Sequence, residues 1–297
     1  MKAAAIFPGQ LSARVGMGRE LAARSSAAAA VLERGERVCG GGFRRLLFEG
    51  PASELAVNRN AQAAVLIVGA MAWAALSEAG LQVQAVAGYS LGVFPALAAA
   101  GSIALEEALM LVLRTADLYD RLLEGVDAAM GAVTGLAETR LAELCAQACT
   151  SREGVWIGTS QNRAQFVITG HRPAVLRVLE KARREALRTA LLPISWPIHS
   201  PLMAPITDAL VEEVPRLVHI GNPRLPVHSP ADGEPLADAA AVRDLLTFQV
   251  VRPMRWERVV GRLRRDGVGL YAQCGRDEQL SKMVRWLDRE AQVEVIA

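Results

Sequence analysis

Lysine, cysteine, histidine and aromatic side chains are all scarce in this 297-residue chain, and each shortage narrows what the chain can be. Lysine occurs only at Lys2, Lys181 and Lys282, so nearly all the basic residues are arginine, a compositional mark of a GC-rich genome rather than of a chemistry. A formal net charge of +2 is too small to hold nucleic acid. The four cysteines, Cys39, Cys145, Cys149 and Cys274, include one pair a helical turn apart but no second pair at zinc-ligand spacing. Buried free thiols are therefore expected, and no metal site. The apolar run over 61–76 contains Gln62 and stops short of a bilayer span, so it reads as a buried core helix. The apolar stretch before Pro8 is too short for a signal peptide. A cytoplasmic protein without membrane contact, and a monomer, is the expectation.

What is abundant is core material. Hydrophobic residues make up 52% of the chain and charged ones 22%, enough for a large buried interior and too apolar for disorder. There is no internal repeat, and low complexity is confined to the alanines over 27–30. Arg252, Arg255, Arg258, Arg262, Arg264 and Arg265 are clustered; they form either a solvated helix face or a docking surface for an acidic carrier protein or phosphates.

Apolar periodicity and turn residues predict a strand over 3–7 ended by Pro8-Gly9, then helices over 16–34, 43–47 and 60–79. A short strand over 84–87 leads to Ser90, followed by helices over 91–99 and 103–123. From about residue 128 the pattern changes to strand (129–134), helix (138–148), a strand pair (155–160 and 165–169), helix (173–185) and strand (187–192). That alternation predicts a small α+β insert of ferredoxin-like type. The main domain resumes near Ser195, with a strand over 269–273 and a last helix over 278–289. The division expected is a large subdomain over 1–125 and 195–297 and a small one over 126–194.

The chemistry centres on Gly88-Tyr89-Ser90-Leu91-Gly92. A serine hydroxyl is a weak nucleophile and needs a base within reach and donors aimed at the developing oxyanion. Glycines two residues to either side allow a sharp turn between strand and helix, which leaves Ser90 at a helix N-terminus where the Leu91 amide can meet an oxyanion. The base is one of His171, His199, His219 and His228. His171 follows a glycine at a turn and His228 lies in a proline-rich stretch, and either can be a surface residue. His199, between Pro197 and Pro201, has the more rigid setting.

With these residues in place the sequence resembles the malonyl-CoA:acyl-carrier-protein transacylase family and the acyltransferase domains of polyketide synthases. Phe7-Pro8-Gly9-Gln10 matches the family's first motif, although Leu11, Ser12 and Ala13 replace its glycine, serine and glutamine. Leu47-Phe48-Glu49-Gly50-Pro51, Asn60-Ala61-Gln62 and the run from Gly88 to Gly101 fit the next blocks. Asn162 with Gln165 and Gly170, His199 with Ser200-Pro201-Leu202-Met203, and Asp244-Leu245-Leu246 with Gln249, Pro253 and Trp256 complete the order.

The resemblance implies an α/β fold, a hydrolase-like large subdomain with an inserted ferredoxin-like small subdomain. It implies that Ser90 becomes the acyl-enzyme, that His199 is its base, and that the Gln10 and Leu91 amides form the oxyanion hole. Gln249, Gln62 and Asn162 would support the site. Backbone carbonyls, not an acid, would orient the histidine. No cofactor is permanently bound; phosphopantetheine thioesters, on an acyl carrier protein or on coenzyme A, would be the substrates.

The chain also departs from this pattern. Malonyl-specific members carry an arginine that pairs with the substrate carboxylate. Here Leu111-Val112-Leu113-Arg114-Thr115-Ala116 places Thr115 on that position and Arg114 one residue away, about 100° round the helix. Tyr89 replaces a histidine, Val93 and Phe94 stand where an acidic residue and an aromatic are usual, and Trp196 and Ile198 flank Pro197 before His199. Thr115, Arg114, Tyr89, Trp196 and Ile198 are thus the candidate acyl-pocket residues. The expectation is a discrete acyltransferase moving a non-malonyl acyl group in polyketide or related biosynthesis. The alternatives are an acyl hydrolase that edits loaded carrier proteins, and ordinary malonyl transfer if Arg114 substitutes for the missing arginine.

Overall fold

The structure is a computed structural model that describes every residue from Met1 to Ala297. Its ten strands are β1 (Lys2–Phe7), β2 (Ala85–Gly88), β3 (Ala128–Thr134), β4 (Val155–Asn162), β5 (Gln165–His171), β6 (Arg188–Leu191), β7 (Val227–His228), β8 (Met254–Arg255), β9 (Val268–Cys274) and β10 (Gln292–Ile296). They form two five-stranded sheets, ordered β10-β9-β1-β2-β7 and β6-β3-β5-β4-β8.

The first sheet is parallel throughout. β1 is central in it, and its apolar run Ala-Ala-Ala-Ile-Phe is buried on both faces. Ala3, Ala5 and Phe7 belong to one core cluster, Ala4 and Ile6 to another. Alternate side chains of a strand point to opposite faces, so a strand with helices on both sides needs an unbroken hydrophobic run. The helix Asn58–Glu78 fills the first of these cores. It is long and apolar enough to cross a membrane, yet 72% of its apolar window is buried inside the fold. Trp256, Val259, Val260 and Leu263, on the helix Trp256–Arg265, pack the opposite face.

The second sheet is built as β3–helix–β4–β5–helix–β6, with helices Glu138–Ala148 and Arg172–Ala182. Its order β6-β3-β5-β4 and its antiparallel pairings are those of a ferredoxin-like unit. A separate core of Val133, Leu141, Phe166, Val175 and their neighbours lies beneath it. The fifth strand, β8, is lent by the C-terminal part of the chain and pairs in parallel with β4 through Thr159–Met254 and Ser160–Arg255.

Several expectations are corrected. The helix over 16–34 is two, Arg19–Arg24 and Ser26–Cys39, because the Ser25 side chain accepts a hydrogen bond from the Ala28 amide and caps a new start. The strands β7, β8 and β10 and the helices Ala204–Leu217 and Ala239–Phe248 had no predicted counterpart. All four cysteines are free, but Cys149 is exposed and Cys39 only half-buried. Of the clustered arginines, Arg252 pairs with Asp244, Arg255 with Glu138, Arg262 with Glu234 and Asp266, and Arg264 with Asp288.

Candidate active site

The site lies at the C-terminal edge of the parallel sheet, where strands of such sheets deliver their loops. β1 and β2 are neighbours in register Phe7↔Gly88, so the residues that follow each strand emerge side by side. Gln10 and the Ser90–Leu91 pair are brought together in this way.

Ser90 has φ 53°, the left-handed region that a serine rarely adopts. The turn Ser90–Gly92 then feeds the helix Val93–Ala99. Both flanking glycines are sterically required. A Cβ on Gly88 would stand 2.1 Å from the Gly92 carbonyl carbon, and one on Gly92 would stand 2.2 Å from the Phe7 oxygen. The Ser90 amide donates to the Met254 sulfur at 3.3 Å, a contact 164 residues distant in sequence that braces the turn from β8. The Gln10 and Leu91 amides find no acceptor in the protein, and both residues line the cavity in front of Ser90. Two free donors beside a serine hydroxyl are what an oxyanion formed there would require.

Ser90 Oγ lies 3.1 Å from His199 Nε2. On the other side of the ring, His199 Nδ1 is 3.0 Å from both the Gln249 and the Arg252 carbonyl oxygens. These carbonyls follow the C-terminus of the helix Ala239–Phe248, where the backbone oxygens lack intrahelical partners. Both can only accept, so the Nδ1 proton is donated to them and Nε2 is left as the acceptor facing Ser90. The His199 amide donates to the Val250 carbonyl at 2.7 Å, which fixes the residue at φ 65°. Burial holds the imidazole below its ordinary value, and the two carbonyls offset part of that shift. His199 is therefore neutral near pH 7, as a base must be. No carboxylate contacts the imidazole; backbone oxygens do the orienting.

A cavity of about 400 Å³ opens over this pair, between the two sheets. Its walls are mostly apolar, with Phe94, Ile198, Leu210, Leu246 and Val250 among them. Thr115, Tyr89, Gln62 and Gln249 also line it. Thr115 is buried, and its hydroxyl donates to the Leu111 carbonyl at 2.7 Å. Tyr89 packs edge-on to Trp256 at 5.5 Å, and its hydroxyl accepts from Gln161 Nε2 at 2.9 Å, tying the nucleophile turn to β4. Asn58 Oδ1 accepts from both Gln10 and Gln62, each at 2.8 Å, so the two glutamines are held by one residue.

Three of the residues singled out from sequence do not reach the cavity wall. Arg114 turns outward and pairs with Glu213 at 2.6 Å. Trp196 instead supports Tyr119, ring centroids 5.8 Å apart. Asn162 is buried in the β4–β5 turn, accepting from the Ala164 amide and donating to Gln165. Of the alternative bases, His228 is not a surface residue: it is 2% exposed, with Nδ1 2.8 Å from the Gly233 carbonyl oxygen. Met254, Asn58 and Tyr119 were missed, because a braced amide, a shared acceptor and one more aromatic on a buried helix leave no local pattern.

Comparison with known proteins agrees with this geometry. The chain is 31% identical over 285 residues, 94% of its length and 91% of the relative's, to the malonyl CoA-acyl carrier protein transacylase of Salmonella typhimurium. It superposes on the malonyl CoA-acyl carrier protein transacylase of Coxiella burnetii with TM-score 0.95 and 28% identity, covering 100% of this chain and 94% of that one. A malonyl-transacylase solved in complex with its type II polyketide-synthase acyl-carrier protein gives TM-score 0.94 at 27% identity, covering 100% and 96%. The model of the acyl transferase domain matches residues 5–243, and the chain belongs to that acyltransferase family.

Proposed function

We propose that this protein moves an uncharged acyl group between phosphopantetheine thioesters, with an acyl carrier protein on one side and coenzyme A or a second carrier protein on the other, in polyketide or related biosynthesis. The observation that carries this reading is the composition of the cavity wall: its only lysine or arginine is Arg188, an exposed residue of β6. Thr115 stands in the wall and Arg114 is held outside it by Glu213. A carboxylate placed in such a wall would lose its hydration with no buried cation to replace it, because Arg188 is exposed to solvent.

The chemistry assigned to the site is acyl exchange in two halves. Ser90 Oγ forms a bond to the thioester carbonyl carbon while its proton passes to His199 Nε2. The Gln10 and Leu91 amides hold the oxyanion. The C–S bond then breaks and His199 returns the proton to the leaving sulfur. The second thiol repeats the sequence in reverse. Gln249 and Gln62 position the groups around this centre. The carrier protein is assigned from its presence in the names of the relatives and in the transacylase complex. We also assign residues 126–194 to the small subdomain and 1–125 with 195–297 to the large one.

The test is single-turnover partitioning. The enzyme is loaded with a neutral acyl thioester, and the acyl group is followed into water and onto an added holo-carrier protein. Transfer to the carrier at least ten-fold faster than release supports the proposal. Equal release with and without carrier would make the protein a hydrolase.

A further inference from the structure

The cavity that Ser90 lines carries a second signal, and the inference drawn from it rests on the uncharged-cargo reading above. Thr115 and Tyr119 stand one turn apart on the helix Leu105–Leu122, on the same face. Both line the cavity, and they are 6% and 4% exposed. Their polar atoms are in different states. The Thr115 hydroxyl proton is committed to the Leu111 carbonyl, so Thr115 offers the cavity only an acceptor. The Tyr119 hydroxyl makes no hydrogen bond to the protein, and it is not among the fully enclosed polar atoms, so it stays open to the cavity. Burial raises its pKa, so the phenol keeps its proton and is a donor at any physiological pH.

Apolar Phe94, Leu210, Leu246 and Ile198 line the same cavity, together with glutamines such as Gln62, Gln161 and Gln249. Trp196 packs against the Tyr119 ring at a tilt of 52°. Trp196 lies three residues before His199 and so belongs to the segment that sets the base. An aromatic with its polar end free in a cavity whose walls are mostly apolar is a recognition element. A buried donor of this kind discriminates strongly, because a ligand without the matching acceptor leaves it unpaired.

We infer that Tyr119 is a specificity-determining residue that donates a hydrogen bond to an oxygen, hydroxyl or ketone, carried by an otherwise uncharged acyl chain. Thr115 leaves the room that such a substituent needs and accepts from it when it is a hydroxyl. The cargo class is therefore an oxygenated short acyl group rather than a plain alkanoyl or a malonyl group.

The experiment compares rates of Ser90 acylation, read by intact-protein mass spectrometry, for pantetheine thioesters of butyrate, 3-hydroxybutyrate, 3-oxobutyrate, 4-hydroxybutyrate and malonate. The native chain should acylate with at least one oxygenated neutral substrate ten-fold or more faster than with butyrate. In Tyr119→Phe that ratio should fall to within about two-fold of one. A native ratio near one, or a ratio that survives in Tyr119→Phe, overturns the assignment of Tyr119 while leaving the uncharged-cargo reading intact. Malonyl acylation faster than every neutral substrate overturns that reading itself. If Tyr119→Phe does not fold, Tyr119→Met, which also removes the donor, is read against the same ratio.

Discussion

Ser90 and His199 meet at 3.1 Å with both backbones in the left-handed region, at φ 53° and 65°. Neither residue type favours that conformation, and two such residues in hydrogen-bond contact are held there by their surroundings. Glycine spacing, the Met254 sulfur and the Phe7↔Gly88 register hold Ser90; the Val250 carbonyl holds His199.

In the proposed acyl exchange the two side chains act as one unit, so removing either should remove most of the activity. Ser90→Ala and His199→Ala should each lower the single-turnover acyl-transfer rate by about a thousand-fold or more, and the double variant should be little worse than either. Additive losses in a double-mutant cycle would mean that the two do not act together.

The pH dependence follows from burial of the imidazole. Its folded value lies below the ordinary 6.5, so His199 stays neutral as pH falls past that point and acylation persists there. The acid limb of the rate should fall below pH 6.5, when the buried ring finally takes a proton. Stability moves the same way: the unfolded chain binds this proton first, so the contribution of His199 declines as pH drops through the ordinary value. A rate profile with its acid limb above 6.5 would contradict the assignment of His199 as a buried neutral base.

The turn itself can be tested by adding one carbon. In Gly92→Ala the new Cβ would stand 2.2 Å from the Phe7 oxygen and 2.8 Å from the Pro8 oxygen, both backbone atoms of the loop that carries Gln10. Overpacking of this kind costs about 1–3 kcal/mol or more. Thermal melting should shift down, and acylation should fall further than stability because the oxyanion donors separate. A variant with native activity would show that the close approach is not needed.

Thr115→Arg places a cation at a buried position of the cavity wall. Its guanidinium would enter the cavity from a position 6% exposed, a cost that a carboxylate ligand relieves. Malonyl acylation should rise by at least about ten-fold and that of neutral substrates should fall, measured as the ratio of the two rates. An unchanged ratio would remove Thr115 from the determinants of cargo.

What the sequence disclosed and what it hid follow physical lines. β1 was legible because burial on both faces makes a continuous apolar run, and β3 to β6 because an antiparallel unit carries alternation and turn signals. The two-residue β7 and β8 bury too little to leave a pattern, and the edge strand β10, Gln-Val-Glu-Val-Ile, is largely exposed. Ser90 was legible through its glycines. The orientation of His199 was implied only by resemblance, since carbonyl oxygens at 249 and 252 belong to the backbone and any side chain can supply them. Arg114 illustrates the opposite limit: its identity invited a role in the cavity, and only the partner Glu213, 99 residues away, turns it outward.

The most direct measurement is a competition for Ser90. The native chain is given equal concentrations of malonyl and short neutral acyl thioesters, and the mass of the covalent adduct is read before the second half-reaction. The account predicts that the neutral acyl group dominates the adduct and that Ser90→Ala accumulates none. A predominantly malonyl adduct, or an adduct that persists in Ser90→Ala, would contradict it.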